Sequence, residues 1–118
     1  MLFRSVAAGF TAHVERGSLE ITRFVDVLLA SQSVRRLGSA ALNLCYVAAG
    51  RLDAYWATSV KAWDVAAGVL ILQEAGALIS RIDGSPFRLD EPELAAAASP
   101  ELLRELIAVL AAGEQNRR

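Results

Sequence analysis

Gly38-Ser39-Ala40-Ala41-Leu42-Asn43-Leu44-Cys45-Tyr46-Val47-Ala48-Ala49-Gly50 is the stretch that decides the fold. Ser39 offers a side-chain oxygen to the first orphan N–H groups of a helix, and Gly50 follows where a left-handed residue is wanted. The spacing therefore predicts a helix from Ser39 through Ala49. Working outward, Val34-Arg35-Arg36-Leu37 reads as an extended segment closing at Gly38, and Leu52-Asp53-Ala54-Tyr55-Trp56-Ala57 reads as a strand. Asp64 opens a second helix, which runs to Ala75 and ends at Gly76. Residues 78–82 and 85–89 flank Asp83-Gly84, the two-residue signal of a type I′ hairpin. Ser99-Pro100 caps a last helix whose stripe is Leu102, Leu103, Leu106, Ile107 and Leu110; it is expected to stop near Gly113, leaving 114–118 as a tail. At the other end, residues 5–10 are partly β-like and turn at Gly9. A helix capped by Ser18 follows, with Leu19, Phe24, Val25, Leu28 and Leu29 on one face and Glu20, Arg23 and Asp26 on the other. The short alanine run 95–98 carries no assignment. Strands alternate with helices, so the fold class is α/β.

The chain has 118 residues, 54% of them apolar and 21% charged, with a net charge of −1. These fractions exclude a disordered tail. The balanced charge, without a basic block, argues against an electrostatic nucleic-acid binder. A single cysteine, Cys45, excludes an internal disulfide framework and a cysteine zinc site, and points to a reducing cytoplasm. No run reaches the roughly 18 apolar residues of a membrane span, and the first residues lack the pattern of a signal peptide. Residues 40–49 and 65–72 are apolar nearly all round, which in a soluble protein means helices covered on most sides. A chain of this size has limited means of covering two of them.

Trp63-Asp64-Val65-Ala66-Ala67-Gly68 is the densest chemical signal. A carboxylate at a helix start is favoured by free N–H groups and the dipole, so Asp64 reads first as a structural N-cap. The alternative is a ligand for a hard cation such as Mg²⁺. Gly38-Ser39-Ala40 poses the same choice, between a capped turn and backbone amides turned toward an anion or a sugar hydroxyl. No Gly-Lys-Ser/Thr ending supports a phosphate loop. His13, the lone histidine, reads as a surface or turn residue. Cys45 reads as core, with no cation to activate it. Trp56 and Trp63 read as packing residues, Arg35 and Arg36 as exposed strand arginines that a phosphate would attract, and Glu74 as a surface group. Asp26, Asp53, Asp83 and Asp90 read as surface or turn carboxylates.

Taken together, residues 34–55, Trp63-Asp64-Val65-Ala66-Ala67-Gly68 and Glu74-Ala75-Gly76 resemble the inositol monophosphatase family. The resemblance spans residues 6–112 and is specific in its pairing of Gly-Ser-Ala-Ala with Trp-Asp-x-Ala-Ala-Gly. Ala8-Gly9-Phe10 also stands where many members carry Thr-Gly-Phe. It implies the C-terminal α/β layer of the αβαβα sugar-phosphatase fold, occupying residues 1–113. It implies a Mg²⁺-dependent phosphomonoesterase, usually dimeric, acting on inositol phosphate or a similar phosphorylated polyol or sugar. By the same resemblance Asp64 is a Mg²⁺ ligand, and Gly38, Ser39 and Ala40 contact substrate hydroxyls.

Two departures from the family pattern stand out. Ala57 occupies the place of a Glu that accepts a ring hydroxyl in many members, which puts inositol specificity in doubt. The Gly-Asp-x-x-x-Glu and Asp-Pro-x-Asp-Gly-Thr segments, which carry most metal ligands, have no counterpart in these 118 residues. The chain alone is therefore expected to be inactive, and to need a missing N-terminal half or to self-associate. The alternatives are a non-catalytic remnant or partner-binding module on the same scaffold, or a phosphatase for histidinol phosphate, a sugar bisphosphate or a nucleotide phosphate.

Overall fold

Nine elements alternate along the chain in a computed structural model that describes residues 3–10, 14–36, 38–91 and 93–116. The strands are β1 (Phe3–Gly9), β2 (Ser31–Arg35), β3 (Ala54–Ala57), β4 (Leu78–Ser80) and β5 (Leu94–Ala97). The helices are α1 (Leu19–Leu29), α2 (Ala40–Ala48), α3 (Ala62–Glu74) and α4 (Pro100–Asn116). The strands form one sheet in the order β2-β1-β3-β5-β4. β1 runs parallel to β2 and β3, while β5 is antiparallel to both β3 and β4.

Strand pleating sorts the core into two layers. Tyr55 and Ala57 project to one face, where they meet Leu44 and Val47 of α2 and Val65 and Leu72 of α3. Ala54 and Trp56 project to the other, where they meet Val27 of α1 and Leu106 and Leu110 of α4. A period of two along β3 thus serves two separate cores, as a strand buried on both faces must. None of the described helices is long and apolar enough to cross a membrane.

The expected α/β class holds, and Ser18, Ser39 and Ser99 cap α1, α2 and α4 as the sequence predicts. One unassigned stretch acquires a place and three local expectations fail, for physical reasons. The alanine run belongs to β5, fully buried between β3 and β4, where Ala95 and Ala96 pair with Trp56 and Tyr55. Alanine has poor strand propensity, but small side chains suit a place beside two large aromatics. The hairpin is not type I′. That turn needs positive φ at both central residues, and among the described residues only glycines have it, Gly84 at 89°. Instead Gly84 donates its N–H to the Arg81 carbonyl and Arg81 to that of Ser85, enclosing a three-residue loop that ends in a left-handed glycine.

In α1 the inward face is only partly the expected one. Phe24 packs against the core and Val27 and Arg23 are buried, whereas Val25 and Leu28 are exposed and Leu29 is 77% exposed. The i, i+4 row 23–27 faces the sheet, and counting leucines alone misses it. Finally, α4 does not stop near Gly113 but continues to Asn116. His13 and Leu37 lie outside the described residues.

Candidate active site

The C-terminal ends of parallel strands β1 and β3 open onto a cleft of about 620 Å³. In α/β sheets this is where ligands bind, because loops diverge there and helix N-termini point inward. The first turns of α2 and α3 form its two walls. Gly38, Ser39, Ala40, Ala57 and Asp64, each marked by the sequence as a candidate, all line it. The Gly38–Ala40 turn therefore meets Ala57 and Asp64, 17 to 26 positions further along the chain, because α2 and β3 fold the chain back between them.

Two glycines make this meeting possible by close approach. A Cβ on Gly68 would lie 2.9 Å from Leu44 Cδ1 and 3.0 Å from Leu44 Cβ, so α2 and α3 pack closely there only because Gly68 has no side chain. The Gly that ends Trp-Asp-x-Ala-Ala-Gly is thus a helix-packing residue, one turn beyond Asp64. A Cβ on Gly9 would lie 2.9 Å from the Tyr55 hydroxyl, so Gly9 leaves room for that group at the end of β1.

Asp64 is not an N-cap. The capping position is Lys61, whose side chain makes no capping hydrogen bond, and Asp64 is the third helical residue, exposed in the first turn of α3. Its carboxylate sits beside the positive end of the helix dipole and faces the cleft. Ser39, by contrast, caps α2 by accepting the Leu42 N–H at 3.2 Å. The serine caps its helix, and the turn that carries it lines the cleft.

Other side chains complete the walls. Tyr55 is buried on the α2 side of the sheet, where the Asn43 side chain is close enough to affect its hydroxyl. Burial pushes its phenol pKa up and the nearby Asp64 charge adds to this, against the Asn43 side chain, which lowers it. Arg36 lies 4.4 Å from the centre of the Phe10 ring and donates to the Phe10 carbonyl at 3.0 Å, closing the β1 end of the cleft. Trp63, expected to pack, is instead 79% exposed at the rim, while Trp56 is core as expected. Cys45 is half-buried with a free thiol, and Glu74 is exposed at the far end of α3. Asp53 accepts the Arg4 N–H, Asp83 ties down its turn through Ser85, and Asp90 pairs with Arg88. Tyr55 and Asn43 were not singled out by the sequence, where a tyrosine in a strand and an asparagine in an apolar helix carry no special signal.

Among the described residues no three His, Cys, Asp or Glu side chains come together to hold a metal ion. An Mg²⁺ ion asks for octahedral oxygen coordination. Asp64 provides one suitable oxygen donor, so the residues present fit one corner of such a site.

A doubly covered sheet with a helix-flanked, carboxylate-bearing cleft at its strand ends defines an α/β domain with a ligand-sized cleft. The particular kind is set by sequence. The profile of the inositol monophosphatase family matches residues 4–115, and the chain belongs to that family. It is 51% identical over 71 residues to the inositol-1-monophosphatase of Mesorhizobium japonicum, a match covering 60% of this chain and 27% of that protein. It is 53% identical over 73 residues to the Nus factor SuhB of Pasteurella multocida, covering 62% of this chain and 27% of that protein. The solved inositol monophosphatase of Anabaena superposes with a TM-score of 0.82 at 33% identity, over 94% of this chain but 44% of the other. The chain spans less than half the length of the relatives it matches.

Proposed function

We propose that this chain is the C-terminal segment of a Mg²⁺-dependent phosphatase that hydrolyses a small phosphomonoester of a polyol or sugar. The observation that carries the reading is the meeting, in one cleft, of the Gly38-Ser39-Ala40 turn with Asp64. Mg²⁺, when bound, supplies charge to the phosphoryl oxygens and activates water. Asp64 contributes one carboxylate to hold it. The first turn of α2 presents its polar atoms to substrate hydroxyls, and Arg36 adds positive charge near the same wall. Ala57 leaves that side of the cleft without a carboxylate acceptor. This favours substrates that do not depend on a hydrogen bond from a ring hydroxyl at that point.

The remaining metal ligands come from a segment that is not in this chain, the N-terminal half of the family fold. The outer face of α3 supports this. Trp63, Leu70 and Ile71 are exposed there at helical spacing, and Leu42 of α2 is a further exposed apolar residue. Such a face calls for a cover, either that half or a second copy of this chain. The lone thiol of Cys45 suits a reducing cytoplasm.

The test is an assay of phosphomonoesters with Mg²⁺, on this chain alone and joined to a family N-terminal half. Turnover is expected only in the joined form. Turnover by the purified chain alone, lost in Asp64→Asn, overturns the shared-site reading; no turnover in either form favours a scaffold without chemistry. Sedimentation at micromolar concentration is expected to show self-association of the chain alone, and a stable monomer counts against an uncovered face.

A further inference from the structure

A second recess, of about 330 Å³, opens beside the C-terminal half of α2, lined by Ser5, Arg35, Tyr46, Arg51 and Leu52. It shares no lining residue with the cleft. Strand pairing places part of its wall. Ala7 packs in the α2 layer and is the register partner of Arg35, so Arg35 and Ser5, two residues before Ala7, stand on that same side of the sheet. The end of α2 places the rest. Gly50 is left-handed at φ 78°, and the Arg51 and Leu52 N–H groups both donate to the Tyr46 carbonyl, at 2.8 and 3.2 Å. The Ser5 hydroxyl donates to the Arg51 carbonyl at 3.3 Å, which ties this turn to β1. Two guanidinium groups thus line one recess whose wall carries no acid. Among the described residues neither Arg35 nor Arg51 forms an ion pair. The acid closest in the chain, Asp53, accepts the Arg4 N–H at 2.7 Å.

We propose that this recess is a second anion site, which binds a phosphate group, free or carried on a small molecule, apart from the cleft. Each guanidinium presents a planar fork of N–H donors that matches two phosphate oxygens at once. Two like charges lining one recess repel each other, and a doubly charged anion between them relieves both. Tyr46 adds an aromatic wall and a neutral hydroxyl donor. Ser5 acts differently: its proton is already given to the Arg51 carbonyl, so it holds Arg51 in place. The volume lies at the lower end of the roughly 300–1,000 Å³ of small-molecule sites, which suits a small phosphorylated ligand. The proposal goes beyond the phosphatase reading and stands without it, since a scaffold that lacks chemistry presents the same two arginines.

Titration of the whole chain with inorganic phosphate at constant ionic strength, followed by NMR at the backbone amides, is the test. Saturating shifts are expected at Ser5, Tyr46, Arg51 and Leu52, as a set separate from any at Gly38, Ser39 and Ala40. Arg51→Gln is expected to weaken the affinity read at the recess about tenfold, from loss of one charged fork. Arg104→Gln removes the same charge from an exposed position of α4, on the other side of the sheet, and is expected to change that affinity less than about twofold. Both recess arginines are exposed, and Arg35→Gln is read against the same control if Arg51→Gln does not fold. Glycerol 2-phosphate in place of inorganic phosphate separates the two forms of the ligand: tighter binding of the ester indicates a carried phosphate, and equal or weaker binding the free ion. Either ranking upholds the site. Shifts confined to the cleft, shifts that do not saturate, or equal weakening by Arg51→Gln and Arg104→Gln overturn the proposal. Turnover in the joined enzyme judges the phosphatase reading separately.

Discussion

α2 and α3 start at the same cleft and start differently. α2 is closed by Ser39, whose hydroxyl accepts the Leu42 N–H at 3.2 Å. The same arrangement closes α1 through Ser18 and Ile21 at 3.4 Å, and α4 through Ser99 and Leu102 at 3.2 Å. Only α3, among the described helices, begins at a residue without a side-chain cap, Lys61; its first-turn acid, Asp64, lines the cleft. A helix end left uncapped forgoes about 1 kcal/mol that a serine supplies at the other three. The uncapped end is the one whose first turn brings Trp63 and Asp64 to the cleft. On the proposed function, ligand binding would draw on the same end of α3 that a cap would stabilise.

The largest effect expected from breaking this contrast is on chemistry. In the enzyme completed by an N-terminal half, Asp64→Asn should lower turnover about a hundredfold or more, judging by the loss of one charge-stabilising group. Because Asp64 does not cap α3, the same change should move the stability of the metal-free chain by no more than about 0.5 kcal/mol. Steady-state rates and a melting curve on one preparation check both parts. Unaltered turnover would make α3 merely a poorly capped helix.

Next in size is the contact that holds the two helix starts together. Gly68→Ala places a methyl within about 3 Å of Leu44, and overpacking of that kind costs roughly 1–3 kcal/mol. Denaturant unfolding should show the loss. The loss caused by Gly68→Ala should be smaller when measured against a Leu44→Ala background, where the obstructing Cδ1 is gone. An unchanged midpoint in Gly68→Ala would mean that the helices can part without cost.

Much of this contrast can be read in the sequence, and what escapes it does so for identifiable reasons. Ser18, Ser39 and Ser99 act locally, within three residues of their partners, so their caps are legible from order alone. Lys61 is not legible as a helix start, because its backbone takes the capping conformation without a capping side chain. Asp64 then looks like the first residue of the helix. β5 escapes because its alanines are selected by Tyr55 and Trp56 across the sheet, some 40 positions away in the chain. Asn43 and Tyr55 escape for the same reason: twelve positions apart, on different elements, they become neighbours only once α2 lies over β3. The five cleft residues are legible through motifs whose local chemistry is ambiguous, and it is their meeting that gives each a place.

Removing the cap of α2 is the third perturbation. Ser39→Ala should cost about 1 kcal/mol, typical for loss of an N-cap side chain. Thermal unfolding measures it, and Ser39→Asn should restore most of the loss. Because Ser39 also lines the cleft, its rescue by asparagine should be better in stability than in KM of the completed enzyme.

The smallest effect runs in the opposite direction and is the sharpest probe of the comparison. Lys61 has an extended backbone, with φ −106° and ψ 149°, which is the conformation an N-cap requires. Lys61→Ser therefore needs no backbone change to offer its hydroxyl to the first-turn amides of α3, at the position where Ser39 serves α2. A gain of about 0.5–1 kcal/mol is expected, the usual return from cap optimisation. Lys61 is exposed, so loss of its side chain should cost little packing. The new hydroxyl would occupy an amide that otherwise faces the cleft, so inorganic phosphate should bind the completed enzyme more weakly in Lys61→Ser. Calorimetric melting and phosphate titration of the same variant give the two numbers. A rise in stability with undiminished phosphate binding would show that the open end of α3 is not reserved for the ligand, and would leave Asp64 as the only functional difference between the two helix starts.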